Sequence, residues 1–369
     1  MVPAEWRPLV GLAALMAIVA WAAIKFFTTI LDFIERIRTF LKRKALERQP
    51  IAPSTNLPPP RVSIWNRSVS NPPRPRTPDE RGIPILTVAT MKGGVGKTTL
   101  TANLAAYFDR RGKKVLLIDF DYQGSLSHTV LAAAKMSRKG SVVDHLIKRD
   151  KPMGAILEDS QSLVGALPNS RILTCYYEFS DTETHEMVDW LNALNAGTPT
   201  DDLRFRLCEL LRDDSVHNAY DLVIIDSPPR FTTGAINAFC ASTHLLIPTV
   251  LDQMSAEAAV YFSRDVASMR QTLFPRLGLV GVVPTMTYRQ SELTPREDAV
   301  IDFLNHSLSP YWGDQNTVLK RAFVPRKNAI GDIAGSGIGY VDAGDRSRTI
   351  LVRDIFDRVG AAVGEKLGL

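Results

Sequence analysis

The chain has 369 residues, 45% of them hydrophobic and 22% charged, with a formal net charge of +5. That composition excludes a collagen-like, disordered or disulfide-stapled protein and allows one large α/β domain with attachments. The charge is uneven: residues 1–84 hold 13 Lys and Arg against 6 Asp and Glu, a net of +7 that leaves −2 for residues 85–369. Any nucleic-acid contact by the larger part therefore needs a local basic patch.

Leu9–Ile24 is a run of sixteen uncharged, mostly apolar residues, followed by Lys25 and a further apolar stretch to Leu31. A bilayer core needs ~20 residues, which the run supplies when read through Leu31 with the Lys25 ammonium drawn to the interface. Trp6 and Trp21 suit interfacial anchoring, and no small-residue cleavage site follows. Residues 1–31 are expected to form a transmembrane helix, spanning or lying on the bilayer; a buried core helix or an oligomerisation helix is the alternative. Ile30, Ile34, Ile37 and Leu41 then recur at helical spacing among Arg36, Arg38, Lys42, Arg43, Lys44 and Arg48. This predicts a basic amphipathic extension over 32–48, lying against anionic headgroups with the C-terminal bulk on the cytoplasmic side. Residues 49–84 hold ten of the 23 prolines. Such a segment is expected to bury no core and to act as a semi-extended tether, with PxxP-like pieces as a minor docking option.

Ile85–Ala89 reads as a buried strand and Leu100–Arg110 as a helix, and between them runs Met91-Lys92-Gly93-Gly94-Val95-Gly96-Lys97-Thr98-Thr99. Strand, glycine-rich loop and helix in that order form a phosphate cradle, because backbone N–H groups turn inward and the helix N-terminus adds its positive end. Lys97 supplies a point charge to the outer phosphates, and the Thr98 hydroxyl can ligate Mg²⁺. Met91 stands where the usual P-loop has its first glycine, and Lys92 directly precedes Gly93.

Lys114–Ile118 predicts a second strand, with Asp119 and Asp121 at its carboxyl end, where open α/β sheets bind ligands. One residue apart, the two carboxylates point in different directions and take separate roles; capping the next helix is the alternative. Residues 140–210 are the least readable part, with helical pieces such as 203–211 and a strand near 163–167. Leu222–Ile225 is a buried-strand run, and Asp226 at its end is placed to hold a Mg²⁺ water shell. Further strands are predicted over 244–250 and 277–284, with a helix over 256–273 between them and an amphipathic helix closing the chain over 350–367. Cys175, Cys208 and Cys240 lack paired spacing and the six histidines are scattered, so no metal beyond Mg²⁺ is assigned.

Three stretches together resemble the ParA/MinD family of ATPases. They are the Lys92–Thr99 loop, which looks like that family's deviant Walker A motif, the strand ending in Asp119-Phe120-Asp121, and the strand ending in Asp226-Ser227-Pro228-Pro229. The resemblance implies an α/β P-loop fold over 85–369, a mostly parallel sheet flanked by helices, that binds ATP with Mg²⁺ and hydrolyses it. It implies that Asp121 activates the attacking water, that Asp119 lies near the magnesium shell, and that Lys92 reaches across an ATP-dependent homodimer to the partner's phosphates. Val324-Pro325-Arg326-Lys327-Asn328 resembles the segment beside the adenine, which makes Pro325 and Asn328 candidate base contacts, with Pro284-Thr285-Met286 opposite.

Taken with the N-terminal segment, the resemblance implies a single-pass protein of the bacterial inner membrane with a cytoplasmic ATPase domain. Its work would be to position or partition a cargo, stimulated by a ParB-like or other partner. DNA is a further candidate partner through Lys320, Arg321, Arg346, Arg348 and Arg353. The alternative is a tyrosine kinase of polysaccharide export, which shares the ATPase core; such kinases end in a tyrosine cluster, and the last tyrosine here is Tyr340.

Overall fold

The structure, a computed structural model, describes residues 21, 25, 34, 35, 37, 38, 63–69 and 71–369. The chain divides into two units, Met1–Pro50 and Ile51–Leu369. In the first, the described positions are helical and exposed, and the Lys25 ammonium lies 5.2 Å from the centre of the Trp21 ring. The rest of the expected membrane helix, most of the basic extension and residues 49–62 of the linker lie outside the described residues. Among the described residues, no helix is long and apolar enough to cross a membrane.

The second unit is built on an eight-stranded sheet: β1 (Ile85–Val88), β2 (Val115–Asp119), β3 (Gln161–Leu163), β4 (Leu167–Leu173), β5 (Leu222–Asp226), β6 (His244–Val250), β7 (Gly278–Thr287) and β8 (Val324–Pro325). The spatial order is β3-β4-β2-β5-β1-β6-β7-β8. Every pair is parallel except the β3–β4 hairpin at one edge. The strand expected near 163–167 is thus the turn of that hairpin.

Central strands carry apolar residues at successive positions because both faces are covered. Leu116, Ile118, Val223 and Ile225 enter one core, while Val115, Leu117, Leu222 and Ile224 enter the other. Each fully buried Val, Leu or Ile contributes about 1.5–3 kcal/mol relative to exposure. The second core is roofed by α1 (Lys97–Asp109), α2 (Ser125–Ala133) and the closing helix Arg346–Leu367. The first is covered by α3 (Phe179–Asn195), α4 (Thr233–Ala241), α5 (Gln253–Leu273) and α6 (Pro295–Trp312). The closing helix, α7, approaches α1 at Gly360, where a Cβ would stand 2.4 Å from the Tyr107 ring.

The proline-rich tether, expected to bury no core, departs from that expectation within residues 63–84, where it docks on the first core. Trp65 is 3% exposed, and Arg76 meets Asp214 at 2.7 Å. The Arg212 and Arg276 guanidiniums donate to the Arg74 and Pro75 carbonyls. Between the short 3-10 turns Ile64–Asn66 and Pro78–Glu80, Pro72, Pro73 and Pro75 keep the chain out of helix and sheet, which leaves the Arg74 and Pro75 carbonyls free to accept from those arginines.

Candidate active site

β1, β2 and β5 end side by side, with Val88 and Asp119 each facing Asp226 across the ladder. Three loops therefore meet at the carboxyl edge of the sheet, one after each strand, where open α/β folds form ligand crevices. In the first, Gly94 and Gly96 hold φ of +74° and +85°, values that residues with a Cβ rarely adopt. The turn they make lets α1 begin at Lys97, so the unpaired N–H groups of its first turn face into the loop.

These loops enclose a cavity of about 350 Å³ lined by Lys92, Gly93, Gly94 and Gly96–Thr99, by Asp121, Gln123 and Pro229, and by a wall between Ile330 and Gly339. Lys97 is 8% exposed, and its ammonium lies 3.4 Å from Asp226 Oδ1 and 3.8 Å from Asp121 Oδ2. Burial works against this charge, but the attraction of Asp226, Asp121 and Asp119 outweighs it and raises the lysine pKa. Asp226 accepts from the Thr98 hydroxyl at 2.6 Å. Its pKa is raised because burial exceeds the pull of Lys97.

Asp119 is fully buried. One of its oxygens accepts from the Asp121 N–H at 3.1 Å; the other accepts from the Ser127 N–H and hydroxyl, each at 2.8 Å. Burial, with the neighbouring Asp226 charge, pushes its pKa up to about 8 against the Ser127 bonds. Asp119 thus ties the Asp121 loop to α2, and it lies close enough for its charge to act on Lys97.

A second, mostly apolar cavity of about 350 Å³ shares Gly96, Thr99, Ile330 and Ala334 with the first. Val95, Thr285, Met286 and Pro325 line it. A polar, lysine-bearing cradle opening into an apolar slot suits a nucleotide, with phosphates in the first and base in the second. The donor set also fits magnesium: a hydroxyl at Thr98 and the buried carboxylates of Asp226 and Asp119 are hard oxygen ligands of the kind this ion takes directly or through water.

The AAA domain family matches residues 83–279. The chromosome-partitioning ATPase Soj of Thermus thermophilus is 32% identical over 201 residues, covering 54% of this chain and 68% of its own length. The chain belongs to the ParA/MinD family of P-loop ATPases. The chromosome partitioning protein ParA of Caulobacter vibrioides is 27% identical over 279 residues, covering 74% of this chain and 94% of that one. An ATP complex of a Cyanothece McdA variant shares the fold, with a TM-score of 0.59 at 19% identity over 78% of this chain and 97% of that one.

As a ParA/MinD member the chain is an ATPase, and its motif residues fall as follows. Gly93, Gly94, Gly96, Lys97, Thr98, Thr99 and Asp121 share the first cavity, while Val95 faces the second. Lys92 lines the first cavity, but its ammonium donates to the Ser255 hydroxyl at 2.6 Å and lies 3.6 Å from Asp252, at the start of α5. Asn328 is exposed and is not brought to the second cavity, where Arg326, Lys327 and Ile330 stand instead. Three of the five candidate DNA contacts are engaged within the chain: Lys320 with Asp298, Arg348 with Asp332, and Arg353 with the Tyr340 and Val341 carbonyls.

Sequence reading did not single out several residues at or beside the first cavity. The glycine-dense run Gly331–Gly339 forms a cavity wall, and its composition is the signal that could have marked it. Asn103 braces that wall by donating to the Thr99 carbonyl at 2.7 Å and accepting from the Tyr340 N–H at 2.8 Å. Glu183, 9% exposed, accepts from the Gly234 N–H at 3.3 Å, and burial raises its pKa. Nothing in its local sequence distinguishes it from the other acids of α3.

Proposed function

We propose that the chain is a membrane-tethered ATPase that uses ATP-dependent dimerisation to position or partition a cargo. The observation that carries this reading is the contrast between two lysines of one loop. Lys97 is locked among carboxylates at 9% side-chain exposure, whereas Lys92 sits at the cavity rim, 35% exposed, against an aspartate that is itself 44% exposed. A contact that exposed is worth about 1 kcal/mol or less, so a second copy's phosphates can displace it.

In the reaction, the loop amides and Lys97 hold the triphosphate, and Asp121 orients water in line with the terminal phosphate. Magnesium, held by Thr98 with Asp226 and Asp119 around its water shell, would neutralise charge on the phosphates. Hydrolysis then removes the group that bridges two copies, which makes nucleotide the timer of assembly. The kinase alternative lacks an acceptor in the closing helix, which contains no tyrosine.

Sedimentation of the full chain in detergent micelles tests the reading. Dimers are expected with ATP and Mg²⁺, persisting in Asp121→Ala and absent with ADP; equal sedimentation in all states rejects it. For the tether, carbonate-washed membranes are expected to retain the full chain and to release a variant lacking residues 1–48. Proteins that co-purify with ATP-trapped Asp121→Ala identify the cargo and the stimulating partner.

A further inference from the structure

The segment before β1 reaches the catalytic edge through Trp65. Its ring stacks on Trp190 of α3, with centroids 6.1 Å apart and planes 15° apart, and its indole N–H donates to the Phe231 carbonyl at 3.1 Å. Phe231 ends the loop that starts at Asp226, and Pro229, two residues earlier, lines the phosphate cavity. The Phe231 ring in turn stacks on Phe262 of α5 at 5.9 Å, on the helix whose first turn holds Lys92.

A dedicated receptor holds Trp65 in place. Arg204 is 1% exposed, and one of its terminal nitrogens donates to the carbonyls of both Trp65 and Arg67, each at 2.7 Å. Its other two guanidinium nitrogens are taken by Asp202 at 2.8 and 2.6 Å. Burying a guanidinium costs several kcal/mol unless its donors are satisfied, so the segment's carbonyls complete a site that is otherwise unfavourable.

The loop needs outside support. Pro228 and Pro229 offer no N–H, so its course depends on what grips its ends. At its start the Ser227 N–H donates to the Val88 carbonyl at 3.3 Å; Phe231 is held by the Trp65 bond, and just beyond it the Thr233 hydroxyl donates to the Glu183 carbonyl at 3.1 Å.

We propose that Trp65 is a positioning residue for ATP hydrolysis: its indole N–H fixes the loop after Asp226, which makes the segment preceding β1 part of the hydrolytic machinery. Undocking of residues 63–69 then slows turnover without emptying the nucleotide site, a route by which events upstream in the chain reach catalysis.

Trp65→Phe keeps a stacking ring and removes the donor, which avoids the cavity left by alanine. In the full-length chain in detergent micelles, kcat for ATP hydrolysis is expected to fall about three- to ten-fold, the effect of one lost hydrogen bond at a positioned loop. Affinity for a fluorescent ATP analogue is expected to stay close to wild type, while the melting temperature falls by only the few degrees that one lost buried hydrogen bond costs. A folded Trp65→Phe chain with unchanged kcat overturns the proposal, as does a loss of kcat matched by equal losses of affinity and melting temperature. The inference rests on hydrolysis by this chain, so a wild type that binds ATP without turnover overturns it and the ATPase assignment together, whereas normal wild-type turnover isolates the role of Trp65.

Discussion

The Lys92 ammonium is held by the Ser255 hydroxyl of its own chain across 2.6 Å, at the first turn of α5. Ser255 is itself oriented by Asp252, which accepts from its N–H at 2.8 Å and from its hydroxyl at 2.9 Å. The proposed dimerisation through Lys92 would first have to break this intramolecular contact. Asp252→Asn weakens the hold and is expected to tighten the ATP-dependent dimer by up to about five-fold, the scale of an exposed ion pair. Sedimentation at graded protein concentration measures it, and an unchanged dimer constant means that Lys92 is not in competition.

Lys97→Ala removes the cation around which Asp119, Asp121 and Asp226 gather. Nucleotide binding is expected to disappear. The nucleotide-free chain is also expected to melt earlier, because breaking a buried pair costs up to about 3–5 kcal/mol before the carboxyls protonate in compensation. Isothermal titration and thermal denaturation read the two effects separately, and retained ATP affinity would remove Lys97 from the site.

The Asp119 carboxyl, with a pKa pushed up to about 8, keeps its proton in the folded chain at pH values where the unfolded chain has lost it. Asp226 shifts in the same direction. These two carboxyls bind more protons in the native state between about pH 4 and pH 8, and their contribution to nucleotide-free stability is expected to fall as pH rises through that window. Asp119→Asn should flatten the slope in chemical denaturation. Because His217 and His244, depressed by burial, act in the opposite direction, the difference between wild type and Asp119→Asn is the measure, and identical slopes contradict the raised Asp119 carboxyl.

Gly360 lets α7 lie against the Tyr107 ring, 2.4 Å from where a Cβ would stand. Gly360→Ala forces the two helices apart and is expected to destabilise the fold by about 1–3 kcal/mol, the usual penalty of overpacking. A melting temperature equal to wild type would show that the helix pair has slack.

The phosphate site was legible because its residues are contiguous and sit between a strand and a helix whose own patterns announce them. Lys92 to Thr99 needed no long-range information, and Asp226 was marked by the apolar strand before it. Trp65 was not legible, since a lone aromatic among prolines carries no periodicity and its receptor Arg204 lies 139 residues away. Asn328, expected beside the base, does not line the second cavity, for a related reason. β8 is only two residues long, so register there is weakly specified, and Asn328 begins an exposed helix turn outside the lining of the slot.

The guanidinium of Arg204 also decides where this protein can be cut. A fragment begun at Ile83 would strip the cover from Trp190 and leave one Arg204 nitrogen without its two carbonyl acceptors, although Asp202 would still pair the charge. A piece that keeps this contact has to begin at or ahead of Ser63, which makes Trp65 and Arg67 part of the folded unit rather than of a detachable leash.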